Sequence, residues 1–345
     1  MNITLFNGLS GLQVRGISKV ADELATHLRN EGHIVHEVKI PIFLYVNNTL
    51  LRILVLIFFQ QIVCLFVVLK NRSQLLIDPY NGFSVLASLF VRTKYFIHDY
   101  TPFKRSYWYF RPGTLYQYIM FKLDAFLSLA EMYHDGLNIE TPIFLKRSVQ
   151  PKVFPCIVDP LDKSNSDFFD IHIQSTLDIV ESDCLLLSTI SGTGWNKDFG
   201  GLVENLKFID RQFILVAFGF GEQGVKKDAI AMSDGSFSYV FTVGFVNEAA
   251  ISSVISRSNI FLFHSLSEGF GRPIIEALQL KKLVVSVHAP VIDLLSCEAL
   301  KNIYQYSNNR NHFKSMLNEA LLSDFIEFST TYKPGIDHSL DLFLG

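Results

Sequence analysis

Cysteine is scarce and poorly placed for bridging. The four residues, Cys64, Cys156, Cys184 and Cys297, lie far apart and form no CxxC pair. Neither a disulfide framework nor a zinc site is indicated, and a reduced, cytoplasmic setting fits. An excess of charge of one sign is also missing. The formal net charge is -3, with basic residues scattered along the chain, so the electrostatic footprint of nucleic-acid binding is absent and no nucleic acid is expected as a partner. The opening "MNITLFNG" has no Lys or Arg before Arg15, which argues against a cleaved signal peptide. There is no repeat of fixed period, no low-complexity tract and no DxD-type pair of acids. Neither a metal nor a cofactor is expected.

What the chain does have is apolar mass. At 345 residues and 39.2 kDa it exceeds what one core usually serves, so two domains are expected. Hydrophobic residues make up 49% of it, with 31 Phe and a mean hydropathy of +0.27, and surplus apolar surface of this kind meets lipid or a partner. The run Ile53 to Leu69, "ILVLIFFQQIVCLFVVL", is the one candidate membrane segment. It is interrupted by Gln60 and Gln61 and flanked by Arg52, Lys70 and Arg72. Because it lies between two strand-like segments that should share a sheet, a buried or interfacial helix is expected rather than a span. Peripheral membrane contact through residues 49–70 is the corresponding expectation.

The rest reads as alternating β and α segments. "NITLF", "HIVHEVKI", "QLLIDPY", "TKYFIHDY" and "AFLSLA" are expected strands, and Ile17 to Gly32 and Phe83 to Arg92 are expected helices. Around "VFPCIVDPLDKSNSDFFD" Pro, Asp and Ser break the rhythm and mark a linker. A second series follows, with strands "CLLLSTI", "QFILVAFG", "YVFTVGF", "NIFLFHS" and "LVVSV" and helices near 202–209, 248–256 and 273–282. The expectation is an α/β protein of two doubly wound, Rossmann-like parallel-sheet domains facing a cleft, 1–158 and 159–325, with a tail, 326–345, packing back on the first. In such sheets ligands bind beyond the carboxyl ends of the strands, so functional residues belong in loops that follow strands.

The most informative loop is "SLSEGFGRPIIEAL", Ser265 to Leu278. Pro273 suits the first position of a helix. The free N–H groups there, with the helix dipole, suit a phosphate or sugar oxygen. Glu268 precedes that helix and Glu276 is expected in its first turn, so two carboxylates, each able to accept two hydroxyl donors, can bracket a ligand. In the first half, "NGLSGLQVRG" lacks GxGxxG but offers Gly8 and Gly11 for close approach to phosphate. "YFIHDYTPF" places His98 and Asp99 at the end of a strand.

The frame around Glu268, Phe270, Gly271, Pro273, Glu276 and Ala277 resembles the "EGFG.P..EA" signature of the retaining glycosyltransferases of family 4, of GT-B fold, most densely from about 185 to 295. The resemblance implies that Glu268 lies near the transferred sugar, that Glu276 binds the ribose of the nucleotide, and that the turn at Phe270 and Gly271, with Arg272 and Ile274 following, holds sugar and phosphate oxygens. It implies that Lys197, in "TISGTGWNKDFGGL", grips the diphosphate and that His98 stabilises charge near the reacting carbon. Gly244, Phe245 and Val246 fall where that family's backbone reads the base. Its usual diphosphate-binding Arg is absent, with Gly192 and Thr193 at its place, and Arg272 is the candidate to compensate. The implied activity is metal-independent transfer of a sugar from a GDP- or UDP-linked nucleotide sugar to a hydroxyl of a glycan, of lipid-linked polysaccharide or O-antigen type, at the cytoplasmic face of a membrane. A non-catalytic subunit that binds a sugar nucleotide and scaffolds a partner transferase, and an epimerase on the same fold, remain the competing readings.

Overall fold

The structure, a computed structural model, describes residues 1–8, 17–41, 44, 49–79, 84–97, 112–127, 130–134, 152–153, 156, 158–161, 167–174, 184–192, 195–221, 224–266, 268–307, 309–333 and 344. The chain divides into two compact units, Met1–Val158 with Gly335–Gly345, and Asp159–Pro334.

The first unit is built on a parallel six-stranded sheet of order β2-β1-β3-β4-β5-β6. Its strands are β1 (Asn2–Phe6), β2 (Ile34–Val38), β3 (Leu75–Asp78), β4 (Arg92–Ile97), β5 (Ala130–His134) and β6 (Lys152–Val153). Helix α1 (Ile17–Asn30) joins β1 to β2, whereas every later connection moves in the opposite direction across the sheet. With right-handed crossovers, α1 covers one face and the later helices the other. These are α2 (Thr49–Ile57), α3 (Cys64–Lys70), α4 (Val85–Ser88) and α5 (Pro112–Leu127). The period-2 pattern follows: Ile3 and Leu5 pack with Leu24 and Leu28 of α1, while Phe6 packs with Cys64 and Val68 of α3, and Tyr95 and Ile97 with Phe121 of α5.

A π-helical turn, Phe58–Val63, joins α2 to α3 so that residues 49–70 run as one helix. The wider turn brings the neighbouring Gln60 and Gln61 together on the inner side, where both are buried. Gln60 Nε2 donates to Asp78 Oδ2 at 2.8 Å. Gln61 Nε2 donates to the Tyr116 hydroxyl at 3.1 Å, and its Oε1 accepts from Leu86 N at 3.1 Å. By length and composition the helix could cross a membrane. Here it is the crossover between β2 and β3, both paired with β1.

Two first-half expectations are corrected. Ala125 to Leu127, expected in a strand, complete α5, and the strand begins at Ala130. Exposed apolar residues at 115, 119, 123 and 126 have helical spacing, and that period prevails over the local apolar run. The helix expected from Phe83 to Arg92 is the single turn α4, because β4 already begins at Arg92.

The second unit holds a seven-stranded sheet of order β13-β12-β11-β7-β8-β10-β9. Its strands are β7 (Leu185–Ile190), β8 (Phe213–Phe218), β9 (Val225–Ala231), β10 (Phe237–Val243), β11 (Ile260–Phe263), β12 (Val284–Ser286) and β13 (Ile303–Gln305). Its helices are α6 (Phe199–Leu206), α7 (Glu248–Arg257), α8 (Arg272–Gln279), α9 (Cys297–Leu300) and α10 (Arg310–Leu321). Leu187, Leu215, Leu262 and Val285 pack with Leu206, Phe313 and Leu317 as its core. All strands are parallel except β9, an antiparallel edge whose charged "VKKDAIA" gave no strand signal in the sequence. Residues 326–333 remain with this unit rather than starting the tail. Ile326 N donates to Asn302 Oδ1 at 2.7 Å, and Ser296 N donates to the carbonyl of Thr331 at 2.8 Å. Leu344 packs in the first unit beside Ile3, where Arg92 donates to its carbonyl at 3.3 Å.

Candidate active site

In the second unit the chain lays down β7, β8 and β10 in one direction, then crosses back to place β11 on the other side of β7. Ligands of doubly wound sheets bind at such a reversal, beyond the carboxyl ends of the strands. The loops after β7 and β11 flank it. The first carries Lys197 and the second Glu268, and the two form an ion pair between Lys197 Nζ and Glu268 Oε1, with side chains 23% and 14% exposed. Residues 71 apart in sequence therefore meet where the topology predicts a ligand.

Local geometry explains how the loops hold this pair. Lys197 ends a 3-10 turn, Trp195–Lys197, and Asp198 follows with φ 40° as the N-cap of α6, its carboxylate accepting from Gly201 N at 3.3 Å. A Cβ at Gly201 would stand 2.3 Å from Asp198 Oδ2, so only glycine leaves room for that cap. The Asn196 carbonyl accepts from Leu266 N at 2.7 Å and from Ser265 Oγ at 2.8 Å, tying the two loops directly. A further tie was not foreseen in the sequence. His264, its side chain 1% exposed, places Nε2 3.1 Å from Asp198 Oδ2 and Nδ1 2.5 Å from the Tyr306 hydroxyl. A carboxylate only accepts, so Nε2 carries a proton and donates to Asp198. Burial and the nearby Asp198 charge push the Tyr306 phenol well above its usual range.

Gly271 caps α8 with φ 103°, and a Cβ there would come within 3.0 Å of Ala289 Cβ and 3.1 Å of Val291 Cγ1. The turn is thus specific for glycine on both backbone and packing grounds. Phe270 is buried, and its carbonyl accepts from Val291 N at 2.9 Å. Pro273 lies in the first turn of α8. Glu276 opens the second turn, not the first as expected; it is 6% exposed, with Oε1 3.9 Å from Arg272 Nη2. Arg272 is itself buried, and in this geometry its guanidinium lies beside that carboxylate. Ile274 turns into the core, and its amide donates to the Gly271 carbonyl at 3.0 Å.

The loop after β10 supplies Gly244, Phe245 and Val246. Gly244 is buried and its amide donates to the Gly224 carbonyl at 3.0 Å, whereas Phe245 is exposed. At Gly192, which with Thr193 stands where the resemblance expects an Arg, φ is 97° and a Cβ would stand 2.8 Å from the Gly219 carbonyl oxygen. The backbones of the loops after β7 and β8 are in contact there, so no side chain can occupy this position. In the first unit, Gly8 follows β1 with a Cβ position 2.7 Å from the Phe6 ring, a close approach that packing alone accounts for. Gly11, His98, Asp99 and Thr193 lie outside the described residues.

No curated protein matches the chain by sequence. Solved structures share its fold over nearly its whole length. Sucrose-phosphate synthase from Thermosynechococcus elongatus aligns with a TM-score of 0.66 at 15% identity, covering 93% of this chain and 90% of that one. WaaG, a glycosyltransferase involved in lipopolysaccharide biosynthesis, aligns at 0.59 and 9% identity over 94% and 91%. The Anabaena protein HepE, in complex with UDP and glucose, aligns at 0.57 and 14% identity over 94% and 90%. The fold is that of GT-B glycosyltransferases, mixed α/β with parallel sheets in two Rossmann-like units. Residues 189–326 match the family model of the group 1 glycosyl transferases, a stretch that contains Lys197, Glu268, Glu276 and the turn between them.

Proposed function

We propose that the protein is a retaining glycosyltransferase that moves a sugar from a GDP- or UDP-linked nucleotide sugar to a hydroxyl of a glycan acceptor. The observation that carries this reading is the Lys197–Glu268 pair at the strand-order reversal, inside the segment that matches the group 1 glycosyl transferases. HepE, of similar fold, is solved with UDP and glucose, which supports the donor class. The acceptor is a lipid-linked glycan of polysaccharide or O-antigen type. The reaction then takes place at the cytoplasmic face of the membrane, with residues 49–70 in peripheral contact with lipid.

The chemistry follows from charge. An arriving diphosphate offers Lys197 more negative charge than Glu268 does, so the ammonium exchanges partners and the carboxylate is released to accept hydroxyls of the sugar. Lys197 and the positive end of the α8 dipole then meet the charge that grows on the leaving diphosphate as the bond from the anomeric carbon to phosphate oxygen loosens. The acceptor oxygen bonds to that carbon on the same face and gives its proton to the departing phosphate oxygen, so configuration is retained without a protein nucleophile or a metal. Glu276 accepts the ribose hydroxyls, its carboxylate held by Arg272.

One observation favours a second reading, a nucleotide-binding subunit that scaffolds a partner transferase. Of the two residues at the place of the usual Arg, Gly192 and Thr193, the first is packed against Gly219. Two measurements separate them. A panel of nucleoside diphosphates should raise the melting temperature for the matching base. Release of free nucleoside diphosphate from its sugar conjugate should fall about 100-fold in Lys197→Met, as for loss of one charge-stabilising donor. Tight binding without turnover selects the scaffold, and full transfer by Glu268→Gln would remove the sugar-positioning role from Glu268.

A further inference from the structure

The first unit carries a contiguous apolar surface that its fold leaves uncovered. On the helix at 49–70, Leu51, Leu54, Phe58, Ile62, Phe66 and Leu69 are all exposed. Their spacing of three and four residues puts them on one stripe, opposite the buried Gln60, Gln61, Cys64 and Val68. The helix is apolar on both sides: Cys64, Val68 and Phe59 pack inward beside the two amides, and the outward stripe is aliphatic and aromatic as well. Helix α5 repeats this, with Leu115, Ile119, Leu123 and Phe126 exposed in helical spacing and Phe126 84% exposed. Between the two lie Leu86 of α4 and Leu89 and Phe90 just after it, also exposed. The three elements pack against one another on the same face of the sheet, so the stripes form one platform. In the second unit exposed apolar residues such as Phe237 and Leu322 sit singly on separate elements.

Charge indicates what covers the platform. The chain is net acidic, yet from Val38 to Leu123 its only acids are Asp78 and Asp99, against ten Lys and Arg. Asp78 is fully buried, as is Lys94, while Lys39 pairs with Glu37 and Arg92 with Glu131. Lys70, Arg72 and Lys122 are exposed around the platform, and two of them lie along its aromatics, Lys70 Nζ 6.0 Å from the Phe66 ring and Lys122 Nζ 5.7 Å from the Tyr118 ring. Exposed ammonium groups held beside the rings of an apolar surface suit a boundary between hydrocarbon and anionic headgroups. A second copy of the chain would instead bring like charges face to face in an isologous contact. We infer that this platform, built from three helices and not from the 49–70 helix alone, docks flat on an anionic lipid surface without crossing it. The inference extends the lipid contact of residues 49–70 given in the proposed function; the docking itself is independent of transfer.

The test is sedimentation of the full chain, without sugar nucleotide, with vesicles of mixed phosphatidylglycerol and phosphatidylcholine and with phosphatidylcholine alone. Wild type should bind the anionic vesicles more tightly and lose affinity as salt rises. Phe66→Asp and Phe126→Asp should each lower partitioning about tenfold, at unchanged melting temperature because both side chains are exposed. Lys70→Glu with Lys122→Glu should erase the preference for anionic lipid, and Phe237→Asp in the second unit should change nothing. No binding to anionic vesicles, an effect of Phe66→Asp without one of Phe126→Asp, or a concentration-dependent dimer abolished by Phe66→Asp would each overturn it. Since the assay contains no donor, its failure leaves the transferase reading standing, and a protein inactive in transfer can still satisfy it.

Discussion

His264 Nε2 lies 3.1 Å from Asp198 Oδ2, and this bond joins the loop after β11 to the loop after β7 immediately beside Lys197. Asp198 also caps α6, and His264 reaches Tyr306 on the far side, so one buried imidazole fixes three segments that surround the Lys197–Glu268 pair. His264 therefore ties the loop of Glu268 to the loop of Lys197.

His264→Phe would leave the Tyr306 hydroxyl and one Asp198 oxygen without a partner. The expected loss is about 1–3 kcal/mol, or a fall of several degrees in melting temperature at about 2–4 °C per kcal/mol. The donor KM should rise in the same variant, because Lys197 loses its fixed register. His264→Gln, which can still donate to Asp198, should recover most of the KM. An unchanged KM in a destabilised His264→Phe would reduce the residue to a purely structural role.

Gly192→Arg installs the cation that the family resemblance expects, and it should fail to help. With φ at 97° and a Cβ position 2.8 Å from the Gly219 carbonyl oxygen, any side chain costs about 1–3 kcal/mol in backbone strain before the clash is counted. The variant should melt lower than wild type and bind nucleoside diphosphates no better. Tighter binding at an unchanged melting temperature would show that the two backbones can separate there.

Asp124 supplies a pH dependence. Burial raises its carboxyl from 3.8 to about 6, partly opposed by hydrogen bonds from Tyr95 and Ser88, and its Oδ2 is buried without a partner. The folded state thus favours the neutral acid. Its contribution to stability is full below the unfolded value near 3.8 and is lost as pH rises through about 6, a swing of about 2–3 kcal/mol. Asp124→Asn keeps the neutral form at every pH. Melting curves of variant and wild type should coincide near pH 4 and separate progressively up to pH 7.5, with the variant the more stable. A constant offset between them at all pH values would contradict the assignment.

Much of this was legible in the sequence, for physical reasons that differ by element. A parallel strand covered on both faces reads as an unbroken apolar run, as Phe213–Phe218 does with all six residues buried. The turn at Gly271 and Pro273 was legible because left-handed backbone and a helix start each demand their own residue type. The edge strand β9 was not, since one exposed face and three charges erase the strand signal. His264 escaped because a histidine at a strand end signals nothing until its partners, 66 and 42 residues away, are in place.

Local chemistry thus determined the alternation of strands and helices, the change of rhythm near residue 159 and the loop and helix start that carry Glu268 and Glu276, because propensity, turn geometry and burial period act over a few residues. Only the tertiary structure decided that Lys197 meets Glu268, that Gly192 has no room for a cation, and that the apolar helix turns its glutamines inward and Phe58 and Phe66 out. Each of these depends on contacts between segments distant in the chain. No local pattern can specify which face of an all-apolar helix the sheet will cover when the polar groups that anchor it, on Asp78 and Tyr116, belong to other elements.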